Sequence, residues 1–238
     1  MSTKALTHPS RHWIRLETRV SAHWAWLAGG FVLAFALPFV LADTLAIERD
    51  VYYGILALAA LALLLAWARS TGYDLREAVT RRWIWALVLG LAAAGLLAGM
   101  VLRTEDATAR PDGAELVGAV LWRGVVYGAT DGLLLSVYPI LVVFAAFAGS
   151  RLNDRLAGKL VIGVVAMVAS LAMTAIYHAG YSDFRSTKVA KPLQGDVVWS
   201  VPTLVTLNPV GAPLAHVGLH VSAVLQSYET DTFLPPHD

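Results

Sequence analysis

Cysteine is absent from all 238 residues. Disulfides, thiolate nucleophiles, thiolate-held zinc and iron–sulfur clusters are thereby excluded, and any metal would have to be held by His, Asp, Glu or Asn. Charge is scarce as well. Asp, Glu, Lys and Arg make up 15% of the chain, against about 25% in a soluble domain. The formal net charge is +1 and no basic stripe interleaved with aromatics occurs, so nucleic acid is set aside as a partner. What is abundant is hydrocarbon. The chain is 57% hydrophobic, with a mean hydropathy of +0.61, and the apolar residues fall in long uncharged runs. That pattern predicts an all-α fold, a polytopic integral membrane helical bundle of six or seven transmembrane helices, with the lipid bilayer as its first partner.

Residues 1–22 read as a basic arm carrying Lys4, Arg11, Arg15 and Arg19. The run from Trp24 to Ala42 is too long for a signal-peptide core and is followed by further runs, so it reads as an uncleaved first span. Spans two and three are expected near Tyr52–Ala68 and Trp83–Leu102. Trp24, Trp26, Tyr52, Tyr53, Trp67, Trp83 and Trp85 stand near span ends, as an aromatic belt would. Gly90, Ala94, Gly95 and Gly99 give small-residue spacing for close helix contact. As one helix, Glu115–Ala148 would be about 51 Å long, and Pro139 marks a kink or break in it. A further span runs from Leu160 to Tyr177. Val197–Leu207, interrupted by Pro202, is too short to cross alone, and a helix follows from Pro209 to Gln226 with Asn208 as its cap. Residues 23–226 form the bundle and 227–238 a polar tail. The arm carries four Lys and Arg, the link after span one only Arg49, and the link after span two Arg69, Arg76, Arg81 and Arg82. This asymmetry places the N-terminus in the cytoplasm and the protein in the cell (inner) membrane.

Polar residues at membrane depth are expensive and mark functional sites. Arg123, Tyr127 and Asp131 recur every fourth residue on one helix face, beside a stripe of Gly124, Gly128 and Gly132. Arg123 and Asp131 stand about 12 Å apart along a helix axis, so each is expected to find its partner elsewhere. His178 ends a span, and His216 and His220 project one turn apart from a single face. That i, i+4 spacing suits two ligands of one divalent metal such as zinc, although HVGLH lacks the glutamate of a HExxH site. A polar, water-lined wall and imidazole acid/base chemistry are the other uses of the pair.

The WRGVVYG run, Trp122–Gly128, resembles the FRGxxYG segment of the CPBP intramembrane proteases, the CAAX-prenyl endopeptidase and bacteriocin-processing group. GAPLAHVGLHVSA, Gly211–Ala223, is similar to that family's last HxxxN or HxxxD motif, and His178 matches its middle histidine. The likeness covers about residues 115–225 and implies a hydrolytic centre of Arg123, His178, His216 and His220. Gly118 and Ala119 stand where the family has its glutamate pair, Thr174 replaces the aromatic before the middle histidine, and His220 replaces the final Asn or Asp. Asp131 or Glu115 would have to supply the carboxylate. Three readings follow. The first is a non-catalytic or divergent CPBP-like protein binding a membrane partner or small ligand in an intramembrane polar pocket. The second is an intramembrane hydrolase or protease using His178, His216 and His220, with Arg123 and Asp131. The third is a proton-coupled transporter.

Overall fold

The computed structural model describes residues 11–230 and 232–235, with side chains from Val20 onward. Among the described residues every regular element is helical. Helix α1 (Arg11–Leu37) continues through π-helical turns at Pro38–Thr44. The first ten residues of the basic arm lie outside the described residues, and from Arg11 the backbone is already helical. Helix α2 (Arg49–Thr71) starts where the Glu48 carboxylate accepts the N–H groups of Asp50 and Val51, and stops at Gly72, whose φ of 72° a residue without Cβ adopts freely. Short α3 (Leu75–Thr80) leads into α4 (Trp83–Thr104). Then come α5 (Gly113–Ala146), α6 (Leu156–Ala179), α7 (Ala190–Trp199), α8 (Val201–Thr206) and α9 (Gly211–Gln226).

Five helices are long and apolar enough to cross a membrane: Val20–Thr44, α2, α4, α5 and α6. Their outer faces expose Val32, Leu58, Leu91, Leu96, Val164 and Val168, a surface suited to lipid tails rather than water. The expected aromatic belt divides in two. Trp24, Trp83 and Trp85 are exposed, whereas Tyr52, Tyr53 and Trp67 are fully buried. The buried three have polar tips, and two of those tips find partners inside. Trp67 Nε1 donates to His23 Nδ1 at 3.0 Å, and the Tyr52 hydroxyl joins those of Tyr177 and Tyr181.

Pro139 does not split the chain into two spans. α5 is one helix of 34 residues, most of it buried. It carries π-helical turns at Val120–Val126 and Gly132–Val137, the second ending just before the proline. A widened turn there absorbs the hydrogen bond that proline cannot make.

The last three helices retrace the length of α4 twice. Lys191, at the start of α7, pairs with Glu105 at the C-terminal end of α4. Asn208 Nδ2 donates to the carbonyls of Val79 and Arg81, just before α4 begins, at 2.7 Å each. α9 then returns, and Gln226 Nε2 donates to the Glu105 carbonyl. A buried polar knot ties this thread to the centre. Asp196 accepts from the Ser170 and Ser200 hydroxyls, and the Ser200 oxygen also lies 2.8 Å from the Ser136 hydroxyl, joining α7, α6 and α5. Asn208 is not the cap of the final helix. Leu207 breaks the chain at φ 54°, the helix begins at Gly211, and Thr203 Oγ1 takes the N–H of Ala212. The Asn208 Oδ1 accepts the N–H of Val210, one residue before the helix, and its Nδ2 cross-links the turn before α4.

α9 lies antiparallel along α5, seated on the glycine stripe. A Cβ on Gly124 would come within 2.8 Å of Val221, on Gly128 within 3.0 Å of Val217 Cα, and on Gly132 within 2.5 Å of Pro213 Cα. On its other side α9 meets α4, where Gly90 faces the Gly211 carbonyl and Gly218 faces Ala94. Gly95 and Gly99 have open space around them and play no part in this contact.

Candidate functional site

Three of the predicted residues meet at the α5–α9 seam. Asp131 follows Gly128 on α5, while His216 and His220 stand one turn apart on α9. One ligand atom from each of the three lies within 4.8 Å of the others, and all three residues are buried. His220 Nε2 is 3.3 Å from Asp131 Oδ2, close but not aligned as a hydrogen bond. Asp131 Oδ1 and both ring nitrogens of His216 and of His220 have no hydrogen-bond partner among the described residues. Asp131, His216 and His220 line a common cavity of about 30 Å³ together with His178. Two imidazoles and a carboxylate are a donor set that divalent zinc accepts. Ligands of one tetrahedral zinc stand roughly 3.4 Å apart, so the cluster lies within a side-chain adjustment of holding the ion.

His178 reaches the same cavity from the end of α6. Its Nδ1 is 2.8 Å from the carbonyl of Thr174. A carbonyl only accepts, so Nδ1 carries the proton and Nε2 keeps its lone pair. Thr174 thus fixes the histidine tautomer through its backbone carbonyl.

Aromatic side chains hold the rings in place. Tyr127 packs edge-on to His220 at 4.7 Å and stacks on Tyr53 at 3.8 Å, and Trp199 lies 4.2 Å from His216. Leu135 and Leu219 complete apolar walls around the histidines.

Arg123 stands apart from the other predicted residues. Its Nε and one terminal nitrogen donate to the two carboxylate oxygens of Asp50 at 2.8 and 2.9 Å, and its guanidinium lies 5.1 Å over the ring of Tyr228. It closes the α2–α5 junction, about two turns along α5 from Asp131. Glu115 lies in the first turn of α5 and does not line the cavity.

Sequence reasoning missed several participants. Trp199 sits near the start of Val197–Leu207, a stretch that reads as too short to span. Asp50 is an acid in the first turn of a span, a position its helix N-terminus favours in any case. Lys191, Phe233 and Pro235 line the cavity mouth, and the apolar Phe233–Leu234 pair within a polar tail was the signal available. In comparisons with protein-family profiles, characterised proteins and solved structures, nothing matches this chain.

Proposed function

We propose that the chain is an intramembrane hydrolase of divergent CPBP type, with Asp131, His216 and His220 holding a divalent cation such as zinc and His178 as the base. The set of orphaned buried atoms carries this reading. Each buried polar atom left unpaired costs about 1–3 kcal/mol, and one shared cation relieves several at once. A bound divalent ion would supply Lewis acidity and a water that ionises near neutral pH. The chain's own residues do the rest. His178 offers an unprotonated Nε2 to a water proton, because Nδ1–H is committed to Thr174. Trp199 and Leu219 keep bulk water from the cluster. Asp131 supplies the carboxylate that Gly118 and Ala119 lack.

The second reading is a non-catalytic protein of the same architecture that binds a membrane partner or small ligand. Its membrane-partner form is favoured by the cavity's size, since about 30 Å³ holds an ion or a water or two and neither a substrate nor an organic ligand. A proton-coupled transporter ranks third, because the relay it needs would include Arg123, which is committed to Asp50.

For topology we propose seven crossings. The five long helices are joined by α7 with α8 as a broken sixth and α9 as a short seventh, since the thread passes from Glu105 to Arg81 and back. The positive-inside asymmetry puts the Arg81 end in the cytoplasm and the cavity mouth, beside Lys191 and Phe233, on the opposite side of the cell membrane.

Elemental analysis of the purified, detergent-solubilised protein tests the centre. About one zinc per chain is expected in the parent, with loss in Asp131→Ala, His216→Ala and His220→Ala variants that keep their helical circular dichroism. A metal-free parent would remove the metal hydrolase and leave the binding reading.

A further inference from the structure

The entrance to the histidine cavity is filled by the chain itself. Thr232, Phe233 and Pro235 line the cavity together with Asp131, His216 and His220, although they lie beyond the last helix. Phe233 is 8% exposed and Leu234 fully buried, packed with Leu97, Val101 and Trp199. The segment is irregular backbone, with no helical hydrogen bonds of its own. Upstream it is tied down firmly. The Gln226 carbonyl accepts from Thr108 N–H, Glu229 N–H donates to Thr108 Oγ1, and Arg110 donates to the Leu225 carbonyl. From Thr232 to Pro235, by contrast, no hydrogen bond to the bundle is present among the described residues. What holds these four residues is the burial of two apolar side chains, set against the entropy of ordering the stretch. Such a segment opens locally without unfolding the helices around it.

The walls of this entrance say what fits it. Met100, Pro192, Trp199 and Leu219 are apolar, and Lys191 stands at the rim, largely exposed and paired with Glu105. The occupant observed there is a non-helical peptide presenting an aromatic side chain, an aliphatic side chain and a proline in succession. We propose that Thr232–Pro235 is a built-in occupant of the approach to the histidine cavity, which any ligand of the site must displace. This rests on the proposed role of the histidine centre but not on its metal or turnover. It also accounts for the small volume of the cavity. The small volume is what remains with the occupant in place.

The lack of native cysteine makes the test clean, because a single introduced thiol reports alone. Leu135→Cys places that thiol on the cavity wall, one turn from Asp131. Its rate of reaction with a small methanethiosulfonate reagent is measured in the full chain, in a chain ending at Thr230, and in a full-length Phe233→Ser, Leu234→Ser variant. The second and third should react about tenfold faster or more, as an opened segment predicts. A synthetic peptide spanning residues 229–238 should slow the shortened chain's reaction, and a scrambled peptide of the same composition should not. Equal rates in all three chains, each with the helical content and elution volume of the parent, would overturn the occupant. Faster reaction with no protection by the peptide would overturn the segment as an occupant and mark the change as a loosening of the bundle. The full-length double variant decides the matter if the shortened chain fails to fold. Since labelling needs neither zinc nor catalysis, a metal-free protein would leave this result standing, and a failed result here would leave the metal centre untouched.

Discussion

Arg123 and Asp131 show how far apart two residues of one helix face can be in function. Asp131 faces two histidines in a closed cavity, while Arg123 forms a two-pronged pair with Asp50 and lies over Tyr228. The side chain of Asp50 is 42% exposed, so the charge attraction is screened and the planar fork and ring contact matter more. Arg123→Lys keeps the charge and loses both. Its midpoint of thermal unfolding in detergent should fall by the equivalent of about 1 kcal/mol, with bound zinc unchanged. Loss of zinc in that variant would instead place Arg123 within the centre. At this scale the sequence was informative about which residues are polar where polarity is expensive, and it named Asp131, His178, His216 and His220. It was silent on partners. Side-chain pairing across 73 positions, as between Asp50 and Arg123, leaves no local periodicity to read.

Between elements, spacing is set by what the glycines lack. α9 approaches α5 closely because Gly124, Gly128 and Gly132 present no side chain to it. Gly132→Ala should destabilise the protein by about 1–3 kcal/mol, the usual range for overpacking, because its new methyl would fall 2.5 Å from Pro213 Cα. Gly95→Ala, where nothing lies within 4 Å, should be stabilising by up to about 1 kcal/mol through helix propensity alone. Thermal unfolding of the two variants side by side measures this, and the same sign for both would contradict the packing described. The glycine stripe was legible from its four-residue period. Its neighbour was not, and the second small-residue set was read one step too far along, since Gly90 and Ala94 make the contact that Gly95 and Gly99 were also expected to share. Spacing marks a helix face as able to pack closely. Only the fold decides which face meets another backbone.

For the whole molecule, the long apolar runs announced a helical membrane bundle and five of its helices directly. The rest of the thread was harder to see, because α7 and α8 are short, interrupted by Pro202, and carry a buried Asp196 satisfied by serines from neighbouring helices. Hydropathy measures one segment at a time, and short helices whose polar groups are satisfied by other segments do not register in it. The proposed seven crossings would put the two termini on opposite faces of the membrane. Reporter fusions that fluoresce only in the cytoplasm or act only outside it should place a fusion before Arg11 inside and one after Pro235 outside. Both termini on one side would require an even number of crossings, and either α7–α8 or α9 would then not pass through.

The α5–α9 seam repeats every four residues on both helices, and a repeat of four is blind to a slip of four. Moving α9 by one turn would again set glycine against backbone, yet it would carry His216 and His220 about 6 Å along α5, so that one takes the other's place and Asp131 keeps at most one of its two histidines. Register must therefore be chosen elsewhere. It is pinned at one end by Asn208, bonded to Val79 and Arg81, and by Thr203 at Ala212. At the other end Thr108 and Arg110 grip the carbonyls of Gln226 and Leu225. The seam gives the histidine centre its closeness and these distant pins give it its alignment, so the two properties can be altered separately.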